Sequence, residues 1–297
     1  MNAIFRTLKF IVRHPLNRGR FWSALATYLR WQIGSRLLPG SVAVPFINDT
    51  RLLVKSGMKG ATQNIYCGLQ EFEDMALILH TLRPGDVFVD AGANVGSYTI
   101  LAAGACGAHV TAIEPVPSTF AHLLDNIHLN NVLSLVTALN CGLSAVPATL
   151  HFSRDLDTVN HVLSAEESML SSGISVPVDT MDSALKGQGP TIIKIDVEGY
   201  ESEVLKGAGV SLASDKLLAV VMELNESGNR YGFDEAKLHM DMLELGFIAC
   251  AYDPWNRLLT PLKTKNAVGN TLYVKDIDSL AVRVASAPYR TVNGNRL

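Results

Sequence analysis

The chain has 297 residues, 48% hydrophobic and 18% charged, which suits one large globular domain or one domain with an appendage, with a sizeable core. Four widely spaced cysteines (Cys67, Cys106, Cys141, Cys250) with no C-x-x-C pair point to neither a disulfide framework nor a thiolate zinc site, and favour a reducing, cytoplasmic setting. The net charge of −3 is unevenly spread: residues 1–48 carry seven Lys or Arg and no Asp or Glu, leaving the remainder at −10.

The first 60 residues therefore read as a basic extension. Its longest early apolar run, Phe10-Ile11-Val12, is too short for a signal peptide core or a membrane span. Ile4, Phe5, Leu8 and Val12 share one helical face, and Trp22, Leu25 and Leu29 share another, each beside basic residues. Such helices either half-bury on a domain or lie on an anionic membrane surface, here the inner face.

From residue 61 the pattern changes. Phe72, Met75, Leu79 and Leu82 predict a helix stopped by "RPGD", and "VFVDA" (87–91) predicts a strand. "AHVTAI" (108–113) is strand-like, Pro117 and Ser118 open a helix, and "LSLVTAL" (133–139) is the next strand. Residues 149–178 hold two half-exposed strands around a polar stretch, an inserted β segment that need not join the main sheet. "TIIKID" (191–196) and "LLAVVMEL" (217–224) are buried strands with a helix between them, and Asp234 caps another helix. "FIACAY" (247–252) and "TLYV" (271–274) predict a closing hairpin; residues 277–297 look like a loosely held tail to a domain of 61–276. Alternating strands and helices imply right-handed crossovers, a mostly parallel sheet and a ligand at the strands' carboxyl ends.

The loop "DAGANVG" after the first core strand offers backbone N–H groups to a nucleotide, with Gly92 and Gly96 permitting close approach. It lacks the middle glycine of the dinucleotide fingerprint. Asp90 at its mouth would repel a pyrophosphate but suits a cationic ligand, which favours S-adenosylmethionine over a nicotinamide dinucleotide. Glu114, ending the second strand, is placed to accept bonds from ribose hydroxyls.

Three blocks, Asp90 to Gly96 with Thr99, Glu114-Pro115, and Lys194 to Glu201 ("KIDVEGYE"), resemble the FkbM family of S-adenosylmethionine-dependent methyltransferases. The likeness runs from Tyr66 to Asn225 and includes Glu71. It implies a class I methyltransferase fold, a Rossmann-like three-layer α/β sandwich with seven strands, the last antiparallel. It also implies methyl transfer to oxygen, on a saccharide, glycolipid or other metabolite. Cofactor contacts are expected from Glu71, Asp90, Gly92, Asn94, Gly96, Thr99, Glu114, Pro115, Asn140 and Cys141. The chain departs from the family at Asn140-Cys141-Gly142-Leu143, where Asn-x-Ala and an aliphatic residue are usual.

A hydroxyl acceptor must lose a proton, which calls for a base or a metal. Lys194, Asp196 and Glu198 alternate with apolar residues and project to one side. Asp196, Glu198 and loop residue His161 are the catalytic candidates. Asp196 could instead brace the sheet by pairing with Lys194. Asp196, Glu198 and Glu223 could form a magnesium site, but no metal is assigned. The rivals are a nucleotide-dependent oxidoreductase on the same sheet and a non-enzymatic peripheral membrane or binding scaffold. Nucleic acid is disfavoured as a partner by the acidic body.

Overall fold

A computed structural model describes residues 3–37, 40–153, 160–170, 173–267 and 269–297. The polar stretch 154–159 of the inserted segment lies outside them. The chain opens with helices α1 (Ala3–Arg13) and α2 (Phe21–Leu37), a hairpin of β1 (Val42–Pro45) and β2 (Arg51–Val54), then α3 (Lys59–Cys67) and α4 (Phe72–Thr81). The sheet begins at β3 (Val87–Ala91), followed by α5 (Ser97–Ile100), β4 (His109–Ile113), α6 (Pro117–Leu129) and β5 (Val136–Leu139).

The inserted segment is a separate three-stranded sheet of β6 (Gly142–Leu143), β7 (Ala148–Phe152) and, after α7 (Ala165–Leu170), β8 (Ile174–Asp179). The α/β rhythm resumes with α8 (Met181–Leu185), β9 (Ile192–Ile195), α9 (Glu201–Lys206), α10 (Gly209–Ala213), β10 (Ala219–Glu223) and α11 (Glu235–Glu244). As expected, Asp234 caps α11, its carboxylate accepting from Ala236 N and Lys237 N. The closing strands are β11 (Ile248–Asp253), β12 (Leu258–Pro261) and β13 (Asn270–Val274), before α12 (Ile277–Ala285), β14 (Thr291–Val292) and β15 (Asn295–Arg296).

The main sheet has the order β12-β11-β13-β10-β9-β3-β4-β5. β5, β4, β3, β9 and β10 run parallel and β13 antiparallel to β10. Removing edge strand β12 leaves the seven-stranded class I methyltransferase sheet. The expected hairpin is thus interrupted: β11 does pair with β13, but β12 first folds back on β11 between them.

Strand alternation sends Phe88 and Ile192 into a core beneath α4, α5 and α6, while Val89, Ala91, Ile193 and Ile195 enter a second core beneath α8 to α11. The same parity carries Asp90 and Lys194, register neighbours on β3 and β9, to the α4 and α5 side. The expected tail is instead part of the body. Asp276 caps α12, whose Leu280 and Val284 are fully buried, and β14–β15 buries Val292 and Leu297.

Both N-terminal helices are docked. Ile11, Leu16, Ala24, Tyr28 and Trp31 join the main core, and Asn17 Nδ2 donates to Ile11 O and Tyr66 O. Of the stripes singled out in the sequence, only Leu8 and Leu25 pack against this core. Ile4, Phe5, Val12, Trp22 and Leu29 are exposed: α2 carries one buried apolar stripe and a second that faces outward, and the apolar face of α1 is only partly covered.

Candidate active site

The carboxyl ends of β3, β4, β9 and β10 converge on a cleft of about 330 Å3, beside the point where the chain crosses from β5 back to β9. Gly92 is required here by contact as well as by its φ of +83°: a Cβ would lie 1.9 Å from Asp196 O. Gly92 N and Ala93 N donate to Ile113 O, which ties the loop to β4. Gly96, at φ +92°, begins α5, and a Cβ there would meet Leu123 Cδ1 at 2.6 Å. Gly96 shapes the loop without lining the cleft.

Asp90 is 1% exposed and accepts a 2.6 Å hydrogen bond from Thr99 Oγ1, so Thr99 orients the carboxylate from behind. Burial pushes the Asp90 carboxyl up, against the pull of the Lys194 charge and the Thr99 bond. Glu114 accepts from Asn94 N at 3.0 Å and Val116 N at 2.9 Å, one bond per oxygen. Burial outweighs those bonds and raises its carboxyl to about 7. Asn140 Nδ2 donates to Glu114 O and Pro115 O, fixing the turn at the second strand's end. Pro115 lines the cleft; Asn140 and Cys141 border it through their neighbours Gly142 and Leu143.

Lys194 is 3% exposed and donates to Asp196 Oδ2 at 2.7 Å, with its ammonium 4.9 Å from the Tyr98 ring centroid. Tyr98 in turn donates to Glu71 Oε2 at 2.7 Å. Burial alone would weaken the lysine's charge, but Asp196, Glu71 and Asp90 together raise its pKa. Burial also works against the charge on Asp196, yet Lys194 outweighs it and holds this carboxyl below its ordinary range. Burial and the Asp196 charge push Glu223 up to about 9, so near neutral pH it keeps a proton for its hydrogen bond to Asp196.

Glu198 sits three residues past β9 in left-handed backbone, φ 55°. Burial, then the Asp196 charge, raise its carboxyl to about 7. Glu201 locks this turn, its Oε1 accepting from Val197 N and Gly199 N. Asp196, Glu198 and Glu223 offer oxygens within 4.8 Å of one another, a spacing that could hold a cation. The lysine on Asp196 and the proton on Glu223 already offset their charge. His161 is buried beside the cleft, between lining residues Asn160 and Val162, and its Nε2 is engaged by Glu167 Oε1 at 3.1 Å.

The structure thus gathers Glu71, Asp90, Gly92, Asn94, Glu114, Pro115, Asp196 and Glu198 in one cleft, with Gly96, Thr99 and Asn140 behind it. The sequence reading did not assign Tyr98, Gln63 or Gln70 to it. Tyr98 could have been found from its place in the first turn after the glycine loop. Gln63 stands upstream of the likeness and carries no local signal, and Gln70 is marked only by its neighbour Glu71.

A methyltransferase FkbM domain model matches residues 90–249, more than half of the chain. The chain is 32% identical over 152 residues to the hexuronic acid methyltransferase AglP of Haloferax volcanii, covering 50% of this chain and 61% of that protein. It is 30% identical over 169 residues to methyltransferase sdnD of Sordaria araneosa, covering 46% and 65%. In both cases less than two thirds of the relative is spanned. Pyrococcus horikoshii TYW2, solved with MeSAdo, aligns over 80% of this chain and 72% of its own with TM-score 0.43 and 18% identity. With the motif loop, the strand order and the family match in agreement, the chain belongs to the FkbM methyltransferase family.

Proposed function

We propose that this methyltransferase moves a methyl group from S-adenosylmethionine to a hydroxyl of a saccharide or saccharide-bearing acceptor. The observation that carries the donor is the charge of the cleft. Six carboxyl groups (Glu71, Asp90, Glu114, Asp196, Glu198, Glu223) line it, all but Glu223 able to carry charge near neutral pH, with a single cation, Lys194, among the described residues. A pyrophosphate would meet repulsion there, whereas a sulfonium bearing an ammonium would relieve it. Asp90 suits the amino-acid end, Glu114 the ribose hydroxyls, and the Gly92 loop the close approach of backbone. The donor supplies an electrophilic methyl carbon.

The chain's own part is to align the acceptor, exclude water and take a proton. Glu198 is the better base, because a carboxyl near 7 can lose and regain a proton at working pH. Asp196, held ionised by Lys194, is a weak base and a strong hydrogen-bond acceptor, which suits orienting the acceptor hydroxyl. The saccharide reading rests on the relative named a hexuronic acid methyltransferase and on Tyr200 at the cleft edge, whose ring is held by Tyr231 and Phe233 and could stack on a sugar.

Titration calorimetry with S-adenosylmethionine and with NAD separates the donor from its rival; binding of NAD alone would overturn the assignment. Radiolabelled methyl transfer into a panel of saccharides and glycolipids tests the acceptor class, and label appearing only on amines would refute the hydroxyl reading.

A further inference from the structure

The outward stripe of α2 consists of Trp22, Ala26, Leu29, Ile33 and Leu37, spaced i, i+4, i+7, i+11, i+15 on one side of the helix. Its opposite side is buried through Ala24, Tyr28 and Trp31. α1 differs: Ile4, Leu8 and Ile11 share one apolar face that is buried at its Ile11 end, and Phe5 and Val12 form its exposed flank. Of the 18 large apolar side chains exposed among the described residues, eight lie between Ile4 and Leu37. Trp22 is 78% exposed, Leu37 74% and Ile33 60%, and scattered surface side chains would not form so continuous a stripe.

Charge decides what this surface meets. Arg6, Lys9, Arg13, Arg18, Arg30 and Arg36 are exposed on the same two helices and the turn between them, and none is paired with a carboxylate of the described residues. On α1, Arg6, Lys9 and Arg13 form a ridge beside the exposed apolar flank. A second copy of the chain would set these cations against themselves across a twofold contact. Nucleic acid would leave the apolar stripe in water. An anionic bilayer satisfies both features, taking the stripe among its acyl chains and the cations among its phosphates.

The basic ridge also adjoins the reaction cleft. Arg6, Lys9, Arg13 and His14 form one wall of a groove whose other wall includes Gln70 and Glu71, and those two residues line the cleft itself. We propose that the outward face of α1 and α2 is a docking surface for an anionic lipid bilayer, placing the cleft beside the membrane.

Flotation of the full chain with phosphatidylcholine vesicles, with and without phosphatidylglycerol, tests this. Wild type should float with the anionic vesicles alone and be released by high salt. The triple variant Arg6→Glu/Lys9→Glu/Arg13→Glu should partition about 100-fold more weakly, at roughly one tenfold step or less per cation. Leu29→Glu/Ile33→Glu should lose flotation while keeping the wild-type S-adenosylmethionine affinity and thermal midpoint, which separates docking from folding and from the donor assignment. No flotation of wild type, equal flotation of both variants, or a solution dimer or oligonucleotide complex in place of vesicle binding would overturn the proposal.

Discussion

Asp196 and Glu198 stand two residues apart and differ in acid strength, because only one of them has a lysine. The ammonium of Lys194 holds Asp196 ionised, while burial and the Asp196 charge lift Glu198 to about 7. A base must be unprotonated to act, so kcat/KM should rise with pH, half-maximal near 7, and level off above it. Glu198→Gln should lower kcat by roughly 10²–10⁴-fold and abolish that limb. An unchanged pH profile in the variant would move the base elsewhere. Asp90→Asn keeps the Thr99 bond but removes the charge, and should weaken S-adenosylmethionine binding by about 10–100-fold in calorimetry, with the fold intact. Asp90 and Asp196 were legible in the sequence, since each stands at the end of an apolar run. The Lys194–Asp196 bond was legible as an alternative to catalysis, but the proton shared with Glu223 was not. That depends on how deeply β9 and β10 are buried, which sequence spacing does not report.

At the level of elements, β3, β4, β9 and β10 could be read because each is an apolar run rich in β-branched residues that closes on an acid. α12 was misread. Its signal was present, with Asp276 as cap and Ile277, Leu280 and Val284 at helical spacing, yet the polar residues and Pro288 beyond it suggested a tail. Leu280→Ala should cost about 2–5 kcal/mol in urea denaturation, the loss expected of a fully buried leucine and far more than a loose segment could show. β12 carried little signal because "LLTP" is short, mostly exposed and ends in proline, as an edge strand can. The helices at the N-terminus formed as expected. The orientation of α2 did not follow from amphipathicity, since it has two opposed apolar stripes and only packing chooses which is buried.

Across the whole molecule, charge buried near the cleft is carried at a cost to stability. Burial, then the neighbouring Glu71 charge, raise Asp74 from 3.8 to about 7. The native chain therefore holds this proton more tightly than the unfolded one; the resulting stabilisation is complete below about 3.8 and is lost as pH rises towards about 7. Asp74→Asn can still receive the bond from Asn270 Nδ2 and should stabilise the protein by roughly 2–4 kcal/mol at about pH 8, with a smaller gain at about pH 5, measured by chemical denaturation. A gain independent of pH would mean that Asp74 is not the group responsible.

The two ends of the chain are also joined. Arg20 donates to Asn293 O, Asn295 Nδ2 donates to Leu16 O at 2.9 Å, and Val292 and Leu297 share the core that holds α1 and α2. The basic helices thus have a fixed pose on the catalytic body, unlike a tethered anchor that can swing. With those helices resting on a bilayer, the reacting groups would stand at one height above it. On the proposed docking, such a molecule would act as a ruler, selecting an acceptor by how far its hydroxyl projects from the lipid as well as by its chemical identity.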